Sequence, residues 1–419
     1  MSSLRWLPLL LMSCLVSEVR AGTTPPASAA LAPPSKPAVS SFDRARYTPV
    51  VVRLSFTTTS AGDTASKAGV KGSFLDLTLI PLQGDLVGKR VEIATSEFAG
   101  LLRSLYADLA RQAPLDVQNP QSASRRLYDL LIRPLLPDLK AAGATTLLIS
   151  ADPGLQAVPF AALHDGNQFF GEAYAFSLTP SIALTPLEPP SNANKQELAL
   201  GSSRFDGLAP LPLVPQELEQ LGRIESAQTY LDQQFTPEVL LSKVGDPSVD
   251  RVHVATHAEF LPGGADKARV YTGKGPVPLR EFAGMRQRRE GQPLDLFILS
   301  ACRTALGDKD SELGFAGLAI QAGSRSAVGT IWYVDDVATS AFFVEFYRQL
   351  KAGLPKAEAM QATRRAFASG AMHLQGDRLV NGHGELLLRD LTLEQQRRIQ
   401  AGLTHPFYWA GIQLLGTPW

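Results

Sequence analysis

The stretch LDLFILSACRTALG, residues 294–307, combines the pattern of a buried strand with a cysteine placed where that strand should end. Five of its first six residues are apolar, and polarity and glycine return after Ser300 and Ala301. A short apolar run of this kind is typical of a strand covered on both faces, as in a parallel sheet. Ligands of such sheets bind at the carboxyl ends of the strands. The sequence therefore places Cys302 where a functional side chain is expected.

Several other short apolar runs have the same character, and helical stretches alternate with them. The runs are residues 145–152, 197–203, 251–257 and 326–334. Helical patterns occupy residues 214–224, 311–323 and 337–353. Buried runs that alternate with helices predict an α/β fold with a mainly parallel central sheet flanked by helices in three layers.

The segment before these runs has a different pattern. Alternating and β-branched residues at 47–60 and 73–84 predict two strands, which we expect to form an antiparallel pair. Helical spacing follows at residues 96–112 and 122–143, and two prolines are expected to bend or split the second helix. We therefore expect a small N-terminal β/α extension over residues 42–120, ahead of the main domain.

The first 41 residues resemble an export signal followed by a linker. Arg5 precedes an apolar run at residues 6–16, and small residues allow cleavage after Ala21, so residues 1–21 are interpreted as a signal peptide. The Pro/Ala/Ser-rich residues 22–41 are expected to be a disordered linker. Two alternatives stay open: a lipoprotein signal with a lipid anchor at Cys14, and a buried amphipathic helix. The main interpretation predicts a periplasmic or extracellular protein.

Composition excludes some partners and makes the remaining cysteine informative. Lysine plus arginine and aspartate plus glutamate both total 40, so no basic excess favours nucleic acid binding. After the signal, no apolar run is long enough to span a membrane. With Cys14 removed, Cys302 has no internal disulfide partner. A lone thiol in an exported chain indicates either a reactive group or a buried inert residue.

A histidine ends a second buried run, and this favours the reactive interpretation. The strand predicted at 251–257 ends in Thr256 and His257, at the same sheet edge as Cys302. A thiol with a pKa near 8.5 needs a base to form the nucleophilic thiolate, and histidine is the usual one. His253, inside the run, is interpreted as a core histidine, although a spacing of four along a strand would orient both rings alike. His257 is the better candidate base.

Several separated blocks together resemble the CHAT domain, a caspase-like cysteine peptidase domain related to separases and caspases. They are VHVATHAEF, LFILSACRTALG, ELGFAGLAIQAGSRSAVGTIWYVDDVAT, FYRQLKAGLPKAEAMQATRRAF and HPFYWAGIQLLG. The resemblance covers roughly residues 125–416, and we place the domain at residues 121–419 with a caspase-like fold. The 34-residue tetratricopeptide repeats that often precede such domains are not found in the sequence.

The resemblance implies roles for individual residues. The family histidine corresponds to His257, as general base or ion-pair partner, and the family cysteine corresponds to Cys302, as nucleophile. The oxyanion would be held by the backbone N–H groups of Cys302 and of Ala258. The family has glycine at the second of these positions, and glycine reaches conformations that alanine avoids. Arg303 stands where the family usually has glutamate, which should change the local electrostatics.

Substrate preference is less apparent from the sequence. Metacaspase-like relatives hold a basic P1 side chain with an aspartate two residues before the cysteine, and Ser300 occupies that position here. Asp335 and Asp336 are candidates to line the substrate pocket, and the polar segment 307–313 is a candidate cleft loop. The competing interpretation is that one of the two aspartates caps the helix that follows. The chemistry needs no cofactor, and the sequence marks no metal site.

The function that the sequence favours is cleavage of protein or peptide substrates by a cysteine endopeptidase. An alternative is a protein-interaction or scaffold module that keeps the fold without turnover, because Ala258 departs from the family pattern and an exposed thiolate is vulnerable to oxidation. A third is another acyl transfer, such as peptide ligation.

Overall fold

The computed structural model describes residues 49–59, 72–179, 181–186, 196–260, 268–301, 317, 319–320, 322–333 and 335–419. Its strands are β1 (Pro49–Thr59), β2 (Gly72–Ile80), β3 (Val87–Glu92), β4 (Thr146–Ala151), β5 (Ala175–Thr179), β6 (Gln196–Gly201), β7 (Gln228–Leu231), β8 (Val249–Ala255), β9 (Ala258–Phe260), β10 (Ala268–Thr272), β11 (Gly275–Pro278), β12 (Leu294–Ser300), β13 (Ser324–Thr330), β14 (His373–Gln375), β15 (Arg378–Val380), β16 (Leu386–Leu388) and β17 (Ile412–Gly416). Its α-helices are α1 (Thr95–Ala110), α2 (Ala123–Leu131), α3 (Leu136–Ala141), α4 (Phe170–Ala173), α5 (Val214–Glu225), α6 (Pro237–Val244), α7 (Met285–Arg288), α8 (Asp336–Lys351), α9 (Lys356–Ala368) and α10 (Leu393–Ile399).

The described strands form one large sheet and two small ones. The large sheet has eleven strands in the order β3-β2-β1-β4-β5-β17-β13-β12-β8-β6-β7. Most neighbouring pairs are parallel, and the antiparallel pairs are β1 with β2, β2 with β3, and β13 with β17. The two three-stranded sheets are β11-β10-β9 and β14-β15-β16. The prediction of an α/β fold with a mainly parallel sheet is confirmed.

The N-terminal strands are part of the large sheet. β1 and β2 are antiparallel, as predicted, with Val51 opposite Ile80. The other side of β1 pairs in parallel with β4, where Val51 lies opposite Leu148. The proposed division into an extension and a main domain stays a prediction, since these strands continue the same hydrogen-bonded sheet.

Proline residues divide the helix predicted at 122–143. α2 ends at Leu131, a short 3-10 turn spans Arg133–Leu135, and α3 follows from Leu136. Pro134 and Pro137 lie in the first turns of the second and third segments, where a missing N–H group costs no hydrogen bond. The predicted division of this helix is confirmed.

The core lies on both faces of the sheet. α8 buries its aromatic side chains Phe342, Phe343 and Phe346, all with 0% exposure, because it packs between α5 and α9. Consecutive strand residues such as Phe297 and Ile298 of β12 point to opposite faces and are both buried, which explains why the predicted runs are almost continuously apolar.

Some predicted segments lie outside the described residues. They are the signal peptide at 1–21 with Cys14, the linker at 22–41, the polar segment 307–313, and Cys302 with Arg303. The helix predicted at 311–323 is described at only a few of its positions. Within the described part of the chain, no helix is both long enough and apolar enough to cross a membrane.

Candidate active site

Four parallel strands end at the same edge of the large sheet, and this edge contains the candidate site. β13, β12, β8 and β6 are consecutive neighbours, and all their pairings are parallel. Their last residues are Thr330, Ser300, Ala255 and Gly201. The loops that leave them therefore begin side by side, which is the usual place for a ligand site in an open α/β sheet.

The two candidate catalytic residues follow neighbouring strands at equal distance along the chain. Ser300, the last residue of β12, pairs directly with Ala255, the last residue of β8. The N–H of Thr256 donates to the carbonyl of Ser300 at 3.3 Å and extends this contact by one residue. His257 and Cys302 each come two residues after the paired positions. Cys302 itself lies outside the described residues. Neighbouring strands of a sheet are about 4.8 Å apart, so the chain segments that lead to the two residues start about this far from each other.

His257 is held by a loop that follows β6. Its Nε2 lies 2.8 Å from the backbone oxygen of Ala209. The ring of Phe205 packs against the imidazole with centroids 4.7 Å apart and an interplanar angle of 57°. Both contacts come from residues 203–211, so one loop fixes both the position and the plane of the ring.

The contact with Ala209 also determines which nitrogen of neutral His257 carries the proton. A carbonyl oxygen only accepts hydrogen bonds, so Nε2 must be the protonated nitrogen. Nδ1 then carries the lone pair and is the nitrogen able to take a proton. This tautomer is assigned from the hydrogen-bond partner, as is usual for histidine.

Ala258 is in extended backbone at the start of β9. Positive φ occurs at six non-glycine residues of the described chain, and Ala258 is not one of them. The N–H of Tyr271 donates to the carbonyl of His257 at 3.0 Å, so residues 257 and 271 form a hydrogen-bonded pair. Ala258 and Val270 form the next pair, and hydrogen bonding alternates along antiparallel strands. The Ala258 N–H therefore points away from β10, toward the open side of the small sheet.

The chain just before Cys302 is fixed by a buried threonine. Thr330, at the end of β13, donates its hydroxyl to the carbonyl of Ala301 at 2.8 Å, and it is fully buried. Ser300 is 9% exposed. The position that carries an acid in metacaspase-like relatives is thus occupied here by a neutral, mostly buried residue.

Asp335 is the helix cap that one interpretation predicted. Its carboxylate accepts from the N–H groups of Val337 at 2.9 Å and Ala338 at 3.1 Å, and it forms an ion pair with Arg398 at 3.0 Å. Burial raises its pKa, while Arg398 and the two N–H groups act against that rise. Asp336 pairs with the same arginine. Contact of either aspartate with a substrate stays a prediction.

His253 is a fully buried residue, as expected for a core histidine. Its Nε2 lies 2.7 Å from Glu217 Oε1 in α5, and Ser340 donates to the other Glu217 oxygen at 2.6 Å. Its Nδ1 is buried and has no hydrogen-bond partner among the residues that the structure describes. The predicted strand is shorter than expected: β8 ends at Ala255, so His257 lies beyond it and the spacing of four does not relate the two rings.

Three further residues at this edge were not predicted from the sequence. Phe205 and Ala209 hold His257, and Tyr333 follows β13 with 67% of its surface exposed. A signal was available for Phe205 and Ala209, since they lie in the segment that leaves the strand predicted at 197–203 at its carboxyl end. In the described residues no cluster of three or more His, Cys, Asp or Glu side chains could hold a metal ion.

The fold and this edge define a class of protein: an α/β protein with a histidine and a cysteine after neighbouring parallel strands. The family model described as "CHAT domain" matches residues 121–417. The chain therefore belongs to the CHAT domain family. Comparison with curated protein sequences gives no significant match.

Solved structures of caspase-like proteases are distantly similar in shape. A separase–securin complex from Saccharomyces cerevisiae aligns with TM-score 0.45 and 10% identity, over 89% of this chain and 30% of that chain. The Arg-specific cysteine proteinase gingipain R aligns with TM-score 0.39 and 11% identity, over 77% of this chain and 75% of that chain. This chain thus spans about a third of the length of the separase it matches. Similarities of this size carry no information about activity.

Proposed function

We propose that this protein is a cysteine endopeptidase in which Cys302 is the nucleophile and His257 is the general base. The observation that carries the proposal is the pairing of Ser300 with Ala255, which brings the chain to adjacent positions two residues before each group. The bond from His257 Nε2 to Ala209 supports it, because it leaves Nδ1 as the basic nitrogen.

The reaction follows from these two groups. Nδ1 of His257 takes the proton of the Cys302 thiol, and the thiolate sulfur forms a bond to the carbonyl carbon of the scissile peptide. The tetrahedral intermediate collapses when the protonated imidazole gives its proton to the leaving amine, so the C–N bond breaks. Water then attacks the acyl-cysteine with His257 again as base, which releases the acid and restores the thiol.

The oxyanion of the intermediate needs fixed N–H donors. The proposal assigns the N–H groups of Ala258 and Cys302 to this role. For Ala258 the support is the orientation of its N–H away from β10 and its extended backbone. Donors of this kind act at the point where charge develops and are worth about 10²–10³ in kcat.

The substrates we propose are peptide bonds in proteins or peptides. Ser300 supplies no negative charge, so we propose no requirement for lysine or arginine at P1. We also propose an exported location, on the basis of residues 1–21.

The test is site-resolved labelling of the purified full chain with peptidyl acyloxymethyl ketones that vary at P1. Wild type is compared with His257→Ala and with His373→Ala as a matched control. His373 is an exposed histidine whose ring nitrogen also contacts a backbone oxygen, that of Ala371 at 3.0 Å, away from the site. We expect labelling of Cys302 to depend on P1 and to slow by about 10²–10⁴ in His257→Ala only.

Two results would replace the proposal. Slow labelling that ignores P1 and is unaffected by His257→Ala would support the scaffold alternative. In a reaction with a peptide substrate and an added amine, products joined to the amine in place of hydrolysed products would support peptide ligation or another acyl transfer.

A further inference from the structure

The loop of residues 203–211 is a closed unit that carries both contacts to His257. The N–H of Leu211 donates to the carbonyl of Ser203 at 3.0 Å and closes the loop at its base. The N–H of Ser202 donates to the carbonyl of Ala255 at 3.1 Å and ties the start of the loop to the end of β8. Short loops with joined ends move as compact bodies, so whatever fixes Ser203 also fixes the carbonyl of Ala209.

Asp232 fixes Ser203. Its Oδ1 accepts from the N–H of Ser203 at 2.7 Å, and the serine hydroxyl donates to the same carboxylate at 3.0 and 3.1 Å. Asp232 directly follows β7, the neighbour of β6, and has φ of 50°. Left-handed backbone is uncommon outside glycine, and aspartate and asparagine adopt it more readily than most residues.

The backbone of Asp232 also contacts the structure that carries Ala258. A Cβ atom on Gly273 would lie 1.9 Å from the carbonyl oxygen of Asp232, so only glycine fits there. Gly273 directly follows β10, the strand that pairs with β9 at Ala258. Asp232 therefore lies between the loop that holds the candidate base and the hairpin that supports the candidate oxyanion donor.

From this geometry, and resting on the proposed function, we propose that Asp232 is a positioning residue for His257. Its carboxylate holds Ser203, and through the closed loop it holds the Ala209 carbonyl against Nε2 of the imidazole. It touches no reacting group. Without it the carbonyl shifts, the preference for the Nε2–H tautomer weakens, and the ring no longer presents Nδ1 to the thiol.

Three variants separate the effect of the Asp232 carboxylate from the effect of its left-handed backbone. Asp232→Gly keeps the left-handed backbone, which glycine adopts freely, and loses only the carboxylate. Asp232→Asn keeps an oxygen that accepts from Ser203 and is the conservative rescue. Asp246→Ala is the matched control, because Asp246 accepts from the N–H and hydroxyl of Ser248 in the same way, at 2.9 and 2.7 Å, but before β8 at the other edge of the sheet.

The first readout is nitrogen NMR of the full chain labelled with ¹⁵N-histidine, with the His257 signals assigned by comparison with His257→Gln. We expect the Nε2–H tautomer in wild type, Asp232→Asn and Asp246→Ala, and a mixture of tautomers in Asp232→Gly. The second readout is the kinetics of Cys302 labelling, where the limiting rate should fall by about tenfold in Asp232→Gly while the half-saturating probe concentration changes less than twofold.

The outcomes distinguish this inference from the proposed function. If Asp232→Gly keeps the wild-type tautomer and the wild-type limiting rate, the inference is overturned, while P1-dependent labelling of Cys302 would leave the peptidase proposal intact. If wild type does not label, the peptidase proposal fails, and the tautomer measurement still decides whether Asp232 positions His257. Equal effects of Asp232→Gly and Asp246→Ala would also overturn the inference, since they would indicate a general loss of stability.

Discussion

The two edges of the parallel strands are held together by different interactions. At the amino edge, buried charges pair with one another: Lys356 Nζ lies 2.7 Å from Asp295 Oδ1, and Arg251 contacts Asp295 at 3.5 Å and Glu197 at 2.8 Å. At the carboxyl edge, Thr330 and His257 form neutral hydrogen bonds to backbone oxygens, and the carboxylate of Asp232 accepts from Ser203, which is neutral. The difference indicates that charge matters for stability at one edge and that short polar contacts arrange the other edge around the candidate catalytic residues.

The charges at the amino edge are tightly coupled. Burial alone would raise the pKa of Asp295, but the charge and hydrogen bond of Lys356, together with Arg251, hold it below its ordinary value. Asp295 and Lys356 each expose only 3% of their side chains. A buried charge that loses its partner is costly, although an intact buried pair is not by itself strongly stabilising.

The largest expected effect comes from breaking this pair. Lys356→Ala leaves the carboxylate of Asp295 without its closest partner, and we expect the free energy of unfolding to fall by about 3–5 kcal/mol. Urea titration measures it. The matched control is Lys351→Ala, which removes an exposed lysine that lies 3.7 Å from Glu225 and should cost about 0–1 kcal/mol. Equal losses in the two variants would contradict the account of the amino edge.

Substitution of Glu197 is expected to change the free energy of unfolding in the opposite direction to Lys356→Ala. Burial, opposed by Arg251 and reinforced by Glu225, raises its pKa from 4.5 to about 7. The folded state therefore keeps a proton that the unfolded state releases as pH rises from 4.5 to 7, and stability falls over this window. Glu197→Gln removes that loss. The free energy of unfolding of this variant, relative to that of wild type, should therefore increase by up to about 3 kcal/mol over this window.

Unfolding titrations at pH 4.5 and pH 8 measure this change. Glu97→Gln is the control, because Glu97 pairs with Arg126 at the surface with half of its side chain exposed. The difference in the free energy of unfolding between Glu97→Gln and wild type should be nearly the same at both pH values. A Glu197→Gln difference that does not depend on pH would show that folding does not raise the pKa of this carboxyl group.

The smallest expected effect on stability is at the carboxyl edge. Thr330→Val removes the hydroxyl that donates to the carbonyl of Ala301, and we expect a loss of about 1 kcal/mol. Labelling of Cys302 should nevertheless slow several-fold, because the carbonyl that loses this donor immediately precedes it. Thr330→Ser keeps the hydroxyl and should label at nearly the wild-type rate. If valine at this position labels as fast as wild type, the carboxyl edge does not depend on this contact.

Local patterns in the sequence predicted much of the fold. The apolar runs correspond to β4, β6, β8, β12 and β13, and the cap at Asp335 was one of two stated interpretations. Such features depend on neighbours in the chain, so periodicity and capping rules detect them. The sequence also predicted that His257 and Cys302 follow strands at one edge of the sheet, because parallel strands end at the same edge.

The rest depended on contacts between residues far apart in the chain. Ala209 and His257 are separated by 48 positions, and no spacing rule relates them. Asp232 meets Ser203 only because β7 and β6 are neighbours, which the apolar pattern of β6 does not specify. The direction of β17 was also beyond the sequence, since a buried strand of five residues fits a parallel or an antiparallel pairing equally well.

The location of β17 has a consequence for how the protein is made. It pairs with β5 on one side and with β13 on the other, so it joins the half of the sheet that begins with β1 to the half that carries the candidate site. Synthesis runs from the N-terminus at about 5–20 residues per second, and β17 is the last of the described strands to emerge. Until it does, β5 and β13 each lack the neighbour that β17 supplies, so we expect a nascent chain halted before Ile412 to bind chaperones and to lack the finished sheet.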